Sequence, residues 1–103
     1  MYCYIWSFAI RPEYVKEFQA AYGPDGDWAR FFRSDPDYVR TILLADREDA
    51  ARFLTLDFWS SCEACASFRL RFSSQFEALD NSFERFTTEE VQIGSFDVLG
   101  ENR

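Results

Sequence analysis

Asp57 lies within FLTLDFWSS, Phe53 to Ser61, a carboxylate set among large apolar residues. A carboxylate beside aromatic rings loses solvation, its pKa rises, and it can then take a proton from a phenol near neutral pH. That step would let an electron-rich aromatic react directly with O2, with Asp57 as base and Trp59 beside it. A second reading stays open, in which Asp57 forms a salt bridge within the sheet to Arg40 or Arg52. Cys62 and Cys65 form a C-x-x-C at the start of a helical pattern, where free N–H groups and the helix dipole lower a thiol pKa. Redox chemistry of the thioredoxin type is one reading and small structural residues the other. The chain does not favour the first, because this helix follows the second strand of a hairpin and not the first strand of a βαβ unit. Only Cys3 remains to complete a metal site, so none is expected. The sequence contains no histidine, which removes the commonest general base, the usual haem and zinc ligand, and every imidazole triad.

Strand alternation decides which of these side chains share a surface. Phe53, Thr55, Asp57 and Trp59 fall on one face and Leu54, Leu56 and Phe58 on the other. The purely apolar set is expected to meet the better-packed layer, leaving Asp57 and Trp59 on a mixed surface that is either a pocket or the barrel of a dimer. Arg40 interrupts an otherwise apolar strand and is a candidate to neutralise a phenolate or bind a carboxylated ligand; its other reading is an ion pair. The sequence carries 12 Phe, 5 Tyr and 3 Trp in 103 residues, more rings than a core of this size normally needs. Tyr4, Trp6 and Trp28 are candidate walls for a flat aromatic ligand, as are Phe68 and Phe72, while the Phe stripe as a whole reads first as core. Arg69 and Arg71 fall on the expected solvated side of their helix and receive no role.

The elements that must position these residues follow from periodicity. Tyr2 to Ile10 alternates bulky rings with smaller groups, a strand covered on both sides. Arg11-Pro12-Glu13 ends it, and Tyr14, Phe18, Ala21 and Tyr22 recur at helical spacing. Gly23 to Asp27 breaks that helix, with Asp27 as N-cap of a short piece, Trp28 to Arg33. Tyr38 to Ala45 and Arg52 to Trp59 form a hairpin around Asp46 to Ala51. Ser60 and Glu63 have capping-box spacing. From Cys65 the residues Phe68, Phe72, Phe76, Leu79, Phe83 and Phe86 step by three or four, with a bend near Ser73-Ser74 or Asp80-Asn81. Thr87-Thr88 closes the helical region, and Glu90 to Leu99 is a last strand with Gly94 as a bulge.

The order β, broken α, β, β, broken α, β predicts an α+β, ferredoxin-like split βαβ domain spanning residues 1–103. Its four-stranded antiparallel sheet carries both helical segments on one face. The other face is apolar and bare, and in a chain this short a second copy is the simplest cover, so a homodimer is expected. A net charge of -7, from 11 basic and 18 acidic residues, argues against nucleic acid and anionic membrane surfaces. No apolar run approaches the ~20 residues that cross a bilayer. The N-terminal MYCYIWSFAIRPE has no basic region before its apolar stretch, and the expected location is cytoplasmic.

LTLDFW followed by Ser61, Ala64 and Phe68 resembles the W-x-S-x-x-A signature of the antibiotic biosynthesis monooxygenase family, the dimeric α+β barrels. The strand ending in Arg11-Pro12, the segment AYGPDGDWA and the closing IGSFDV are similar to a small branch of it, and the resemblance covers roughly residues 2 to 99. It implies a ferredoxin-like protomer, a homodimer with a shared barrel, and a pocket between sheet and helices, with the motif tryptophan, here Trp59, at the pocket. It implies oxidation of aromatic, polyketide-like phenols by O2 with no metal or organic cofactor. The haem-degrading branch commonly has a histidine nine residues after that tryptophan, and here Phe68 stands there; Trp6 stands where that branch has a first-strand asparagine. Phenylalanine cannot ligate iron, so haem degradation of that type is not expected. The alternative to an oxygenase is a non-catalytic dimer of the same fold that binds an aromatic ligand.

Overall fold

A computed structural model describes residues 1–102. Strand β1 (Tyr2–Ile10) leads through a 3-10 turn (Pro12–Tyr14) into helix α1 (Val15–Tyr22) and helix α2 (Asp27–Phe32). The hairpin strands β2 (Tyr38–Ala45) and β3 (Arg52–Trp59) follow, then α3 (Cys62–Arg71), α4 (Ser73–Ser82), a second 3-10 turn (Glu84–Phe86) and β4 (Thr87–Asp97). The four strands lie in the order β2-β3-β1-β4 and every pairing is antiparallel. This is the expected α+β, ferredoxin-like arrangement with both helical segments broken.

The breaks have local causes. Between α1 and α2 a Cβ on Gly26 would come within 2.4 Å of the Ala20 and Ala21 carbonyl oxygens, so only glycine lets the chain turn so close to the end of α1. Arg30 of α2 and Arg33, which follows its last residue, then donate to the Asp25 and Pro24 carbonyls at 2.6 Å each, holding the turn. Gly26, not Asp27, is the residue that precedes α2; Asp27 is its first residue, where a negative charge suits the helix dipole. The break between α3 and α4 falls at Phe72, whose φ of -114° and ψ of 31° leave the helical region just before Ser73.

Ser61 caps α3, its Oγ accepting from the Ala64 N–H at 3.1 Å. The spacing assigns this cap to Ser60, but Ser60 is engaged elsewhere: its Oγ donates to Asp37 Oδ1 at 2.7 Å and its N–H to the Asp37 carbonyl at 2.8 Å. The W-x-S-x-x-A stretch thus has a physical basis, with Trp59 ending β3, Ser61 the cap and Ala64 the capped N–H. Strand β4 begins at Thr87 rather than Glu90 and ends at Asp97, and its pairing with β1 shifts register near Gly94 and again near Thr87, where bulges accommodate an extra residue.

The helices cover the face that carries Tyr4, Phe8, Ile10, Phe53 and Trp59, which pack with Phe18, Tyr22, Trp28, Phe32 and Phe68. This reverses the expected assignment of faces. The Asp57 face is the packed one, because the helices contribute an aromatic layer that interlocks with sheet rings. Leu54 and Leu56 lie on the face without a covering layer, and the neighbouring Leu44, Val91 and Phe96 are exposed.

Candidate functional site

Between the helices and the middle of the sheet lies a cavity of about 190 Å³. Its floor is laid in rows by strand register: Asp57 faces Tyr4 across β3 and β1, Thr55 faces Trp6, and Phe8 faces Glu90 across β1 and β4. Trp28, Phe76, Arg69 and Asp80 come down on these rows from α2, α4 and α3. The volume is below the ~300 Å³ at which sites for drug-sized ligands begin, so the cavity suits a small ring system.

Asp57 is the most unusual group in it. It is 7% exposed, and among the described residues it has no cation partner. Thr41, directly opposite on β2, donates its hydroxyl to Asp57 Oδ1 at 2.5 Å, and the Tyr38 hydroxyl lies 2.6 Å from the same Thr41 oxygen. With the one Thr41 hydrogen on Asp57, Tyr38 is the donor to Thr41. Burial raises the Asp57 pKa to about 6, with the Thr41 hydrogen bond opposing the rise. Among the described residues the second carboxylate oxygen has no hydrogen-bond partner, and Asp57 lines the cavity. A carboxylate that titrates near 6 beside a cavity of rings can receive a phenolic proton.

The salt-bridge reading of Asp57 does not hold. Arg40 pairs with Glu101 at 3.7 Å and lies 4.8 Å over the Phe58 ring, while Arg52 pairs with Asp46 at 3.1 Å. A register shift between Tyr38 and Arg40 brings Thr41 opposite Asp57 and sets Arg40 against Phe58, on the other face of the sheet. Arg40 therefore does not reach the cavity.

Tyr4, Trp6, Trp28 and Asp57 line the cavity together. Trp59 and Phe68 do not: both are wholly buried, their rings 5.2 Å apart, in the layer behind it. The indole nitrogens of Trp59 and Trp28 are buried, beside the Tyr4 and Tyr22 hydroxyls respectively. Phe72 is half-buried against Phe68, 4.9 Å between centroids, outside the cavity lining. These corrections share one cause. The break at Phe72 and the depth of β3's end turn Trp59, Phe68 and Phe72 into the hydrophobic wedge between α3 and the sheet.

Arg69, Asp80 and Glu90 line the cavity without having been expected there. Arg69 lies 4.6 Å over the Phe76 ring and so is drawn inward from the side read as solvated. Its spacing of seven to Phe76, two helical turns, is the signal in the sequence for this contact. Cys65 is buried and its thiol pushed up to about 11 by burial, whereas Cys62 is exposed; no described cysteine is in a disulfide. Among the described residues, no three His, Cys, Asp or Glu side chains are grouped to hold a metal ion, and no helix is long and apolar enough to cross a membrane.

No family model and no curated protein matches the chain. Solved structures do. SnoaB, a cofactor-independent oxygenase from Streptomyces nogalater, superposes with a TM-score of 0.73 at 19% identity, over 97% of this chain and 94% of that one. A Deinococcus radiodurans protein assigned to the antibiotic biosynthesis monooxygenases gives a TM-score of 0.75 at 11% identity, covering 100% of this chain and 96% of the other. Another, from Bordetella bronchiseptica and assigned likewise, gives 0.72 at 16% identity over 95% and 96%. At these identities the likeness is one of architecture, and by it the chain has the fold of the antibiotic biosynthesis monooxygenases.

Proposed function

We propose that the protein is a cofactor-independent oxygenase of a small aromatic or polycyclic, polyketide-like phenol, with Asp57 as general base. The observation that carries this is a carboxylate more than nine-tenths buried, without a cation, on the floor of an aromatic cavity. In the proposed reaction Asp57 takes the phenolic proton, and the electron-rich anion reduces O2. One oxygen atom is incorporated at a ring carbon, giving a quinone, and the other leaves as water with the hydrogen of that carbon and the phenolic hydrogen. Tyr4, Trp6 and Trp28 hold the ring system, and Thr41 orients the carboxylate through its hydrogen bond. The fold shared with SnoaB, itself a cofactor-independent oxygenase, supports the class of reaction.

In this reading the protein is a cytosolic homodimer, its sheets packed through the face of Ile42, Leu54, Leu56, Val91 and Phe96. That face is apolar and uncovered in the protomer, which a stable monomer rarely tolerates over a continuous area. A second reading, a ligand-binding dimer without chemistry, is favoured by the burial of Trp59 away from the cavity. Oxygen uptake with a panel of anthrones and quinols separates the two. Uptake that is lost in Asp57→Asn supports the oxygenase, and binding without uptake supports the second.

A further inference from the structure

The cavity is electrically lopsided. At one end Asp57 and Tyr4 share a row of the sheet, with the Arg69 charge near the Tyr4 phenol. At the other end Glu90, paired with Phe8, and Asp80 of α4 both lie near the Tyr22 hydroxyl. Tyr4 and Phe8 are four residues apart on β1, and β3 and β4 flank it, so the Asp57 and Glu90 backbones are roughly 16 Å apart from strand rise and spacing. Among the described residues neither Asp80 nor Glu90 has a cation partner. Burial raises the Glu90 pKa, and the negative charges of Asp80 and Glu84 raise it further. Among the described residues the one cation lining the cavity, Arg69, rests on the Phe76 ring.

We propose that the ligand of this cavity is an aromatic that carries a protonated amine at the end facing Asp80 and Glu90. The proposal rests on the reading of the cavity as an aromatic-ligand site and adds the charge of that ligand. Two independent features converge on it. The cavity wall offers two carboxylates, and the same cavity is lined by Trp28, whose ring face attracts a cation and, unlike that of Phe76, does not hold Arg69. At the floor Asp57, nine-tenths buried, turns one oxygen to Thr41 and leaves the other free to accept from a polar group of the ligand. An ammonium group at the rim satisfies carboxylates that repel one another, while a carboxylate in the same place adds a third like charge. The preferred ligand is thus elongated, with a phenol toward Asp57 and an amine toward the mouth.

Three probes that differ in one group test this: a naphthol bearing an aminomethyl, a hydroxymethyl or a carboxyl substituent on its far ring. Their affinities for the whole protein are measured by calorimetry near neutral pH at low ionic strength. The aminomethyl probe is expected to bind at least about 10-fold more tightly than the hydroxymethyl probe, and the carboxyl probe most weakly. Asp80→Asn with Glu90→Gln is expected to remove the amine preference, bringing the aminomethyl and hydroxymethyl affinities together. Equal binding of the amine and hydroxymethyl probes overturns the proposal and leaves the aromatic reading standing, and so does a preference that survives the double substitution. Binding of none of the three overturns both.

Discussion

Replacing Asp57 with Asn gives a stability change that depends on pH in a way few substitutions do. Asp57 titrates at about 6 in the folded protein against 3.8 ordinarily, because burial disfavours its charged form. Between those two values the native state holds the proton more tightly than the unfolded chain, so stability falls as pH rises through the window. The two values differ by 2.2, which at ~1.36 kcal/mol per unit is about 3 kcal/mol. That stabilisation is fully present below pH 3.8 and lost above pH 6. Asn keeps an acceptor for the Thr41 hydroxyl and cannot ionise. Urea unfolding of both proteins from pH 4 to 7.5 yields a difference curve in which the other titrating groups cancel. The curve should turn in favour of Asp57→Asn by about 3 kcal/mol as pH rises through the window, with most of the change complete by about pH 6.5. A flat difference curve would mean that Asp57 is solvated or paired in solution, and the assignment of a buried, unpaired carboxylate would fall.

Thr41→Val removes the hydrogen bond from Thr41 to the Asp57 carboxylate, and carbon-detected NMR titration should find the carboxylate pKa raised by about one unit, toward 7, the lower end of what such a bond is worth. Phe68→Ala should destabilise the fold by about 3–5 kcal/mol in chemical denaturation, as a fully buried ring does, while Arg40→Ala should leave probe affinity unaltered. Leu56→Glu on the uncovered sheet face should convert a dimer to a monomer in sedimentation; a wild-type monomer at micromolar concentration would contradict the packed-sheet arrangement. Under native conditions a thiol reagent should label Cys62 and spare Cys65, whose thiol is buried and pushed up to about 11.

How far these features can be read from sequence varies with how local their causes are. The hairpin strands begin and end where alternation and turn residues place them, because each boundary depends on a few neighbouring residues. The Phe stripe from Phe68 to Phe86 lies in or against the core, since helical spacing alone sets a common face. Ser60 and Ser61 are adjacent, and which one caps is decided by Asp37, 23 residues back from Ser60, which claims the first. Face assignment fails for a related reason: an all-apolar strand face and a mixed aromatic face both need cover, and only the helices' own rings determine which they take. The membership of the cavity is least legible. Glu90 comes opposite Phe8 through the register shift beside Gly94, which the sequence marks, and Thr41 comes opposite Asp57 through another, which leaves no mark in the local sequence. Asp57 itself is conspicuous in FLTLDFWSS, yet its freedom from a salt bridge depends on Arg40 facing away.

The most direct test of the account is anaerobic mixing of the protein with a quinol or anthrone in a stopped-flow spectrometer, where proton removal is seen without oxygen chemistry. The bound substrate's anion spectrum is expected to appear in the wild type, to grow as pH rises through about 6, and to be absent in Asp57→Asn. An anion that forms equally in Asp57→Asn, or in neither protein, would contradict the claim that this buried carboxylate is the base.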